Sequence, residues 1–453
     1  MLQQDHHLVI IGMGVAGITL AKHVRNHSSC RITVISDEHP VHFSRPALMY
    51  VYMGHMRQQD IEPYEPWWYQ ENKIEPLLAH VEHVDFNQKS LQLSNQESLK
   101  FDVLVIATGS TPVFYNWPGQ QLKGVQSLVR LPDLHLLEQN SAGVKEAVVV
   151  GGGLIGIEAA EMLKSRNIQV TMLVRDKLYA RSILPEEESE LVTSEIKKHA
   201  IKVRYQEELK EILPDKQGRV EAVQTLSGTQ ISCQLVIIAT GVAPNIRFLQ
   251  TTELETEKGV LVNSYFETNL QRVYAIGDCA QFREIAPGEL AIEQLWYTAR
   301  QHAETLAQTL TGSRTAYVRG PWFNSAKFFD LEYQTYGQVP VQDNPVFESV
   351  YWQHPKKQKA LRLVYHKQTK EIAGVNLLGI RFRHDLCHYW ITEKLKVTEV
   401  LSQLAAANFD PEFSSRFEKT AIKQLSANIP DSANINKEKN SSWWKLQTKI
   451  FAQ

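Results

Sequence analysis

The chain has 453 residues, 43% of them apolar and 22% charged, which is ordinary globular composition and, at ~150 residues per domain, about three domains. With 48 basic against 50 acidic side chains the formal net charge is −2, so there is no electrostatic footprint for nucleic acid as a partner. Cys30, Cys233, Cys279 and Cys387 stand far apart, which excludes a C-x-x-C pair or zinc knuckle and fits a reducing compartment.

The first apolar run starts near Leu8, too early for a charged n-region and an apolar h-region ahead of it. No window approaches ~18 uninterrupted apolar residues, and a cytoplasmic protein is expected. Residues 8–11 are continuously apolar, as in a parallel strand buried on both faces. They run into Gly12-Met13-Gly14-Val15-Ala16-Gly17 and a helical pattern through Leu20 and Val24. A strand over 31–35 follows and ends in Ser36-Asp37-Glu38. Residues 102–106 then lead into Ala107-Thr108-Gly109.

The same order then repeats. Residues 147–150 run into Gly151-Gly152-Gly153-Leu154-Ile155-Gly156 and a helix, residues 170–174 form the next strand, and residues 233–238 lead into Ala239-Thr240-Gly241. A lone G-x-G-x-x-G is a weak signal. Two copies, each with its own apolar strand and A-T-G, predict two dinucleotide-binding domains. Beyond them a buried strand ends in Gly277-Asp278, and a helix covers 293–310. From about Thr315 the pattern changes to strands over 347–352, 360–365 and 372–378, with a turn at 367–370, which predicts a small antiparallel sheet.

The glycine loops are suited to pyrophosphate. The first glycine permits a tight turn, the second lets backbone approach the phosphates, and the third packs helix on strand, while the helix N-terminus supplies N–H donors. Asp37 lies where a carboxylate accepts ribose hydroxyls, so the first site suits an unphosphorylated ribose. In the second copy Val174 takes that place, followed by Arg175 and then Arg181. Cations there suit a 2′-phosphate and favour NADPH over NADH.

The succession of these motifs over about residues 7–310 resembles the FAD-dependent pyridine nucleotide-disulfide oxidoreductase superfamily. The resemblance implies an α/β fold: two doubly wound, Rossmann-like nucleotide-binding domains, the first for FAD and the second for NADPH or NADH, plus a C-terminal α+β domain. The expected divisions are 1–113 and 246–314 for FAD, 114–245 for NAD(P)H, 315–427 for the C-terminal domain and 428–453 for a linker and tail. FAD contacts are expected at Gly12, Gly14, Ala16, Gly17, Asp37, Thr108, Gly109 and Gly277. By resemblance Asp278 bonds the ribityl or pyrophosphate part, and Arg45, Val81 and Arg130 are further contacts. Coenzyme contacts are expected at Gly151, Gly153, Ile155, Gly156, Arg175, Arg181 and Gly241.

Branches of the superfamily that relay electrons through a protein thiol place a cysteine where this chain has Arg45-Pro46, within His42-Phe43-Ser44-Arg45-Pro46-Ala47-Leu48. That segment resembles instead the Y-x-R-P-P-L element of ferredoxin-, putidaredoxin- and rubredoxin-reductase-like proteins and of apoptosis-inducing-factor-like flavoproteins. Those reductases follow it with a lysine that pairs with a glutamate after the second glycine loop. Here the glutamate is Glu158 and the lysine position holds Tyr50, either a redox-site residue or a core aromatic.

An FAD-dependent NAD(P)H oxidoreductase is therefore expected, with a soluble carrier such as ferredoxin or rubredoxin as electron acceptor. A membrane-associated quinone reductase and a redox-sensing flavoprotein are the alternatives. Trp443, Leu446 and Ile450 put apolar groups on one helical face beside Lys445 and Lys449, the pattern of an interfacial helix. Peripheral membrane contact through this tail and a homodimer are left open. Cys279 and the His384, Cys387 and His388 group are read as packing; the aromatic run 322–329 is read as domain-interface core, with a face toward the flavin or a partner as the alternative, and no metal site is expected.

Overall fold

The structure, a computed structural model, describes residues 2–286, 288–412 and 416–429. By contacts it divides into two units. One holds the chain up to Gly151, Ala159–Val170 and Leu209–Val318; the other holds Gly152–Glu158, Thr171–Glu208 and the chain from Arg319. The tail lies outside the described residues. Among the described residues no helix is long and apolar enough to cross a membrane.

In the first unit a five-stranded parallel sheet runs in the order Val273–Ala275, Val103–Ile106, His7–Ile11, Arg31–Ser36, Ile74–Leu78. The central strand pairs on both sides, Leu8 with Val103 and Ile32, Ile10 with Val105 and Val34. Leu8, Val9 and Ile10 are wholly buried, which explains the unbroken apolar run: both faces of the strand are covered, so no position alternates to water. The helices Val15–Arg25 and Trp296–Thr311 bring Leu20, Val24, Leu306 and Leu310 into this core. Each such side chain contributes roughly 1.5–3 kcal/mol of burial.

The same unit carries an antiparallel meander, Val81–Asp85, Ser90–Leu93 and Ser98–Lys100. It also carries three strands of the second motif copy: Glu146–Val150 pairs in parallel with Leu235–Ile238, which pairs with Val125–Gln126.

In the second unit the end of strand Gln169–Val174 pairs in parallel with Lys202–Tyr205. The C-terminal sheet is antiparallel in the order Phe323–Phe328, Leu331–Gly337, Ile372–Leu378, Ala360–His366, Phe347–Gln353. One face, with Trp352, Leu361, Leu363, Val375 and Leu377, packs under the helices His384–Thr392, Val397–Ala407 and Glu418–Ser426. The expected strands and the turn at 367–370 stand where the alternation placed them, and Cys387 packs in that core.

The opposite face carries buried Arg362. Its guanidinium donates to Glu188 (2.6 and 2.8 Å), to Glu187 (2.7 Å) and to the Ser349 hydroxyl (2.8 Å). The buried Arg362–Glu188 pair is tolerated because each guanidinium nitrogen has an acceptor. Glu187 and Glu188 belong to the helix Glu186–Lys198. That clamp is one tie between 171–208 and the C-terminal sheet, and the residues expected as 114–245 are divided between the two units.

Candidate active site

The two glycine loops are built alike. Gly12 has φ +116°, and a Cβ on it would lie 2.1 Å from the Ala107 carbonyl oxygen; Gly151 has φ +130°, and its Cβ would lie 2.2 Å from the Ala239 oxygen. Each loop therefore closes directly on the alanine of its own A-T-G. A Cβ on Gly17 would strike the Gly12 carbonyl at 1.9 Å, whereas Gly14 and Gly153 face open space with no atom within 4 Å. The packed glycines are fixed by protein, and the open ones leave room for a ligand beside a helix N-terminus.

The A-T-G threonines extend the duplication. Thr108 Oγ1 donates to the Asn245 carbonyl (2.7 Å) and Thr240 Oγ1 to that of Val113 (3.0 Å). The adjoining segments Ser110–Pro112 and Val242–Pro244 pair antiparallel. Gly109 and Gly241, at φ +66° and +116°, have open space at their Cβ positions.

Gly277, at φ +70°, fits under Ala16, whose Cβ would be 3.1 Å from a Cβ there; a larger side chain at either position closes the gap. Asp278 accepts from the Ser110 hydroxyl at 2.9 Å, and Gln294 in turn donates to that hydroxyl at 2.9 Å. Burial pushes the Asp278 carboxyl above its ordinary range, opposed by Ser110 and Arg45. Behind the turn, Gly277 N–H donates to His302 Nδ1 (3.2 Å), which leaves Nε2 to donate to Glu293 (3.1 Å).

Asp37 is exposed, and Arg130 (2.7 Å) and His80 (3.0 Å) share its two oxygens. The sequence reading missed its neighbour Glu38, the anchor of this edge. Glu38 takes both Arg45 guanidinium nitrogens (2.9 and 3.1 Å) and the Leu131 N–H (3.0 Å). Although burial opposes it, Arg45 and Leu131 hold the Glu38 carboxyl below its ordinary value. Arg45 also donates to the Val129 carbonyl at 2.6 Å. Arg45 and Arg130, distant in sequence, thus meet at one acidic pair, while the Val81 side chain lies in the core.

In the second unit Val174 packs on the second loop, its Cγ1 only 2.9 Å from a Cβ on Gly152. Arg175 follows directly and is exposed, with no hydrogen-bond or ion-pair partner among the described residues. Arg181, expected as a second phosphate cation, instead donates to the Leu184 (3.0 Å) and Val341 (2.9 Å) carbonyls. Ile155 is half-buried and Gly156 buried on the helix Leu154–Ser165.

Glu158 is half-buried on that helix; burial, and after it the Glu158 charge, push the Tyr179 hydroxyl well above its ordinary value and so keep it protonated. Tyr50 is 37% exposed, its ring beside His55, so it is not a core aromatic. All four cysteines are buried and unpaired. Cys279 donates to the Ile106 and Ile276 carbonyls, and burial pushes its thiol up to about 11. Glu195, His199 and Asp330 converge, but Lys198 sits 3.2 Å from Glu195 and His199 Nε2 faces both carboxylates, which is an ion-pair cluster.

These features fit FAD at the first loop: an open position at Gly14, an acidic edge at Asp37, and a desolvated Asp278 carboxylate that has a protein hydroxyl on one side and capacity for further donors. A family model described as pyridine nucleotide-disulphide oxidoreductase matches residues 6–303. The chain belongs to that family. This oxidoreductase uses FAD and NAD(P)H. It is 30% identical over 327 residues to rhodocoxin reductase of Rhodococcus erythropolis, covering 71% of this chain and 76% of the relative. It is 26% identical over 430 residues to the NAD(P)H nitrite reductase of Bacillus subtilis, covering 90% of this chain but 51% of that protein, so the chain spans about half of it. In fold it is similar to a ferredoxin reductase from Rhodopseudomonas palustris, with TM-score 0.76 and 22% identity over 92% of this chain and all of the other.

Proposed function

We infer that this oxidoreductase takes hydride from NADPH onto FAD and passes the electrons to a soluble carrier protein such as a ferredoxin or rubredoxin. Bound FAD supplies the change from two-electron hydride acceptance to onward electron transfer. The chain's own residues bind and orient. Gly12 and Gly17 fix the first loop, Gly14 admits the pyrophosphate, Asp37 takes the adenosine ribose, and Asp278 accepts from the flavin side chain. Arg45 and Arg130 hold the acidic edge together. At the second loop Gly153 admits the coenzyme phosphates and Arg175 meets the 2′-phosphate, while Arg181 ties its own turn to the Leu184 and Val341 carbonyls.

The observation that carries this reading is Arg45. It stands where a relay thiol would stand and is committed to Glu38 and the Val129 carbonyl, so electrons leave the flavin without a protein disulfide. A rubredoxin-NAD(+) reductase and a ferredoxin–NAD(+) reductase subunit of Pseudomonas putida, both similar to this chain, are named for such carriers. The test is anaerobic reduction of the FAD-loaded protein by NADPH, then mixing with ferredoxin, rubredoxin, a quinone or oxygen. Rapid reoxidation by an iron–sulfur carrier supports the reading; reoxidation only by quinone or oxygen overturns it.

A second reading rests on the extent of one match. The likeness to nitrite reductase runs through 90% of this chain, beyond the nucleotide domains, while the chain spans half of that protein. The acceptor is then a reductase module that corresponds to the rest of that protein. A cytoplasmic location, a homodimer and a lipid-binding tail complete the proposal. Light scattering tests the dimer, and co-sedimentation with anionic vesicles, with and without residues 443–453, tests the tail.

A further inference from the structure

Tyr179 is wholly buried, five residues beyond the strand Gln169–Val174, and belongs to none of the motifs. Its hydroxyl donates to the Gly153 carbonyl at 2.5 Å, and its own N–H donates to Thr193 Oγ1 at 3.3 Å. The Gly153 carbonyl also accepts from Ile157 N–H at 3.2 Å, the first bond of the helix that opens after the loop. In a trans peptide the carbonyl and the next N–H point in opposite directions. Holding the Gly153 oxygen inward therefore holds the Leu154 N–H facing the other way, at the start of the helix that follows the open position of Gly153.

The tyrosine is itself held by the C-terminal domain. The Phe328 ring, wholly buried, meets it edge-on at 6.3 Å and 80°, a favourable aromatic geometry. Three further ties join the same segment to that domain: Arg181 to the Val341 carbonyl (2.9 Å), Arg362 to Glu187 and Glu188, and the His199 ring stacked on Phe329 at 4.2 Å.

We propose that Tyr179 is a positioning residue for the nicotinamide coenzyme, fixing the phosphate loop through the Gly153 carbonyl, and that Phe328 of the C-terminal domain sets its orientation. This rests on the reading of the second loop as the coenzyme site. The C-terminal domain then governs coenzyme affinity through a buried phenol, without touching the coenzyme.

The experiment uses the FAD-loaded full chain and the variants Tyr179→Phe and Phe328→Leu. NADP⁺ is titrated directly, KM and kcat are measured with NADPH, and FAD content is read from the flavin absorbance. Tyr179→Phe keeps the ring and removes only the hydrogen bond. Its Kd and KM rise about fivefold, the worth of one neutral hydrogen bond, while kcat and FAD content stay at parent values. Phe328→Leu leaves the phenol bond available but removes the ring it rests on, and its Kd rises about two- to threefold. A Tyr179→Phe protein with parent Kd overturns the proposal, as does one whose kcat and FAD content fall with Kd unchanged. A Phe328→Leu protein with parent Kd overturns the part assigned to the C-terminal domain. A parent protein that binds neither NADP⁺ nor NADPH overturns the coenzyme reading as well, which separates the two failures.

Discussion

The contrast between Gly12 and Gly14 separates folding from binding within one loop. In Gly12→Ala the new Cβ lies 2.1 Å from the Ala107 oxygen, well inside the 3.4 Å of ordinary contact, on backbone at φ +116°. The left-handed backbone costs ~1–2 kcal/mol and the overlap ~1–3 kcal/mol more. The sum, about 2–5 kcal/mol, is a large share of the ~5–15 kcal/mol that holds such a protein folded. At ~2–4 °C per kcal/mol the melting point falls by about 4–20 °C. Gly14 caps its helix at φ −69°, ψ −175°, open to any residue, with nothing within 4 Å of a Cβ. Gly14→Ala should cost under ~1 kcal/mol, yet place a methyl where the pyrophosphate must approach. The assay is thermal melting of FAD-stripped protein, which removes ligand stabilisation, paired with FAD titration. Gly14→Ala should melt near the parent and bind FAD at least about tenfold more weakly, a loss of ~1.4 kcal/mol. A Gly14→Ala protein that binds FAD as the parent does, or melts as early as Gly12→Ala, refutes the assignment.

At the second loop Arg175→Glu should reverse the preference for NADPH over NADH, while Arg181→Ala lowers the melting point and leaves that preference in place; steady-state kinetics with both coenzymes checks each. Asp278→Asn should weaken FAD binding roughly 10- to 100-fold, the ~1.5–3 kcal/mol of hydrogen bonds to a charged acceptor. Because burial raises the Asp278 carboxyl, its ionised form is disfavoured in the FAD-free fold, and the same substitution should leave stripped protein as stable as the parent or more so at pH 7. Burial pushes His7, His42, His384 and His388 below the ordinary histidine value. The unfolded chain then takes up protons that the fold does not, and stability is lost as pH falls through ~6.5. Urea unfolding between pH 8 and 5 should show that loss, and His42→Gln should flatten its slope.

Much of the site was legible because its residues are constrained by backbone geometry. Gly12 and Gly151 must be glycine to close on Ala107 and Ala239, and unbroken apolar runs mark strands covered on both faces. Side-chain partnerships between distant segments were not legible. Arg45 reads as a motif position, but its bond to the Val129 carbonyl exists only after 84 residues of chain have folded back. Asp37 stood out by spacing, whereas the more buried Glu38 beside it carries no spacing signal. Arg181 looked like a phosphate cation until its main-chain acceptors at Leu184 and Val341 appeared. The Arg362 clamp links residues 174 positions apart, and a paired arginine on a strand reads like any solvated charge.

The central claim is that electrons cross from NADPH through FAD to an outside carrier with no protein thiol taking part. Anaerobic reductive titration of the FAD-loaded protein, followed by flavin absorbance and by thiol labelling, tests it most directly. The account predicts full flavin bleaching at two electrons per FAD, no long-wavelength thiolate-to-flavin band, the same number of reactive thiols before and after, and flavin reoxidation on adding an iron–sulfur carrier. Uptake of four electrons per FAD, with new thiols appearing on reduction, would contradict it.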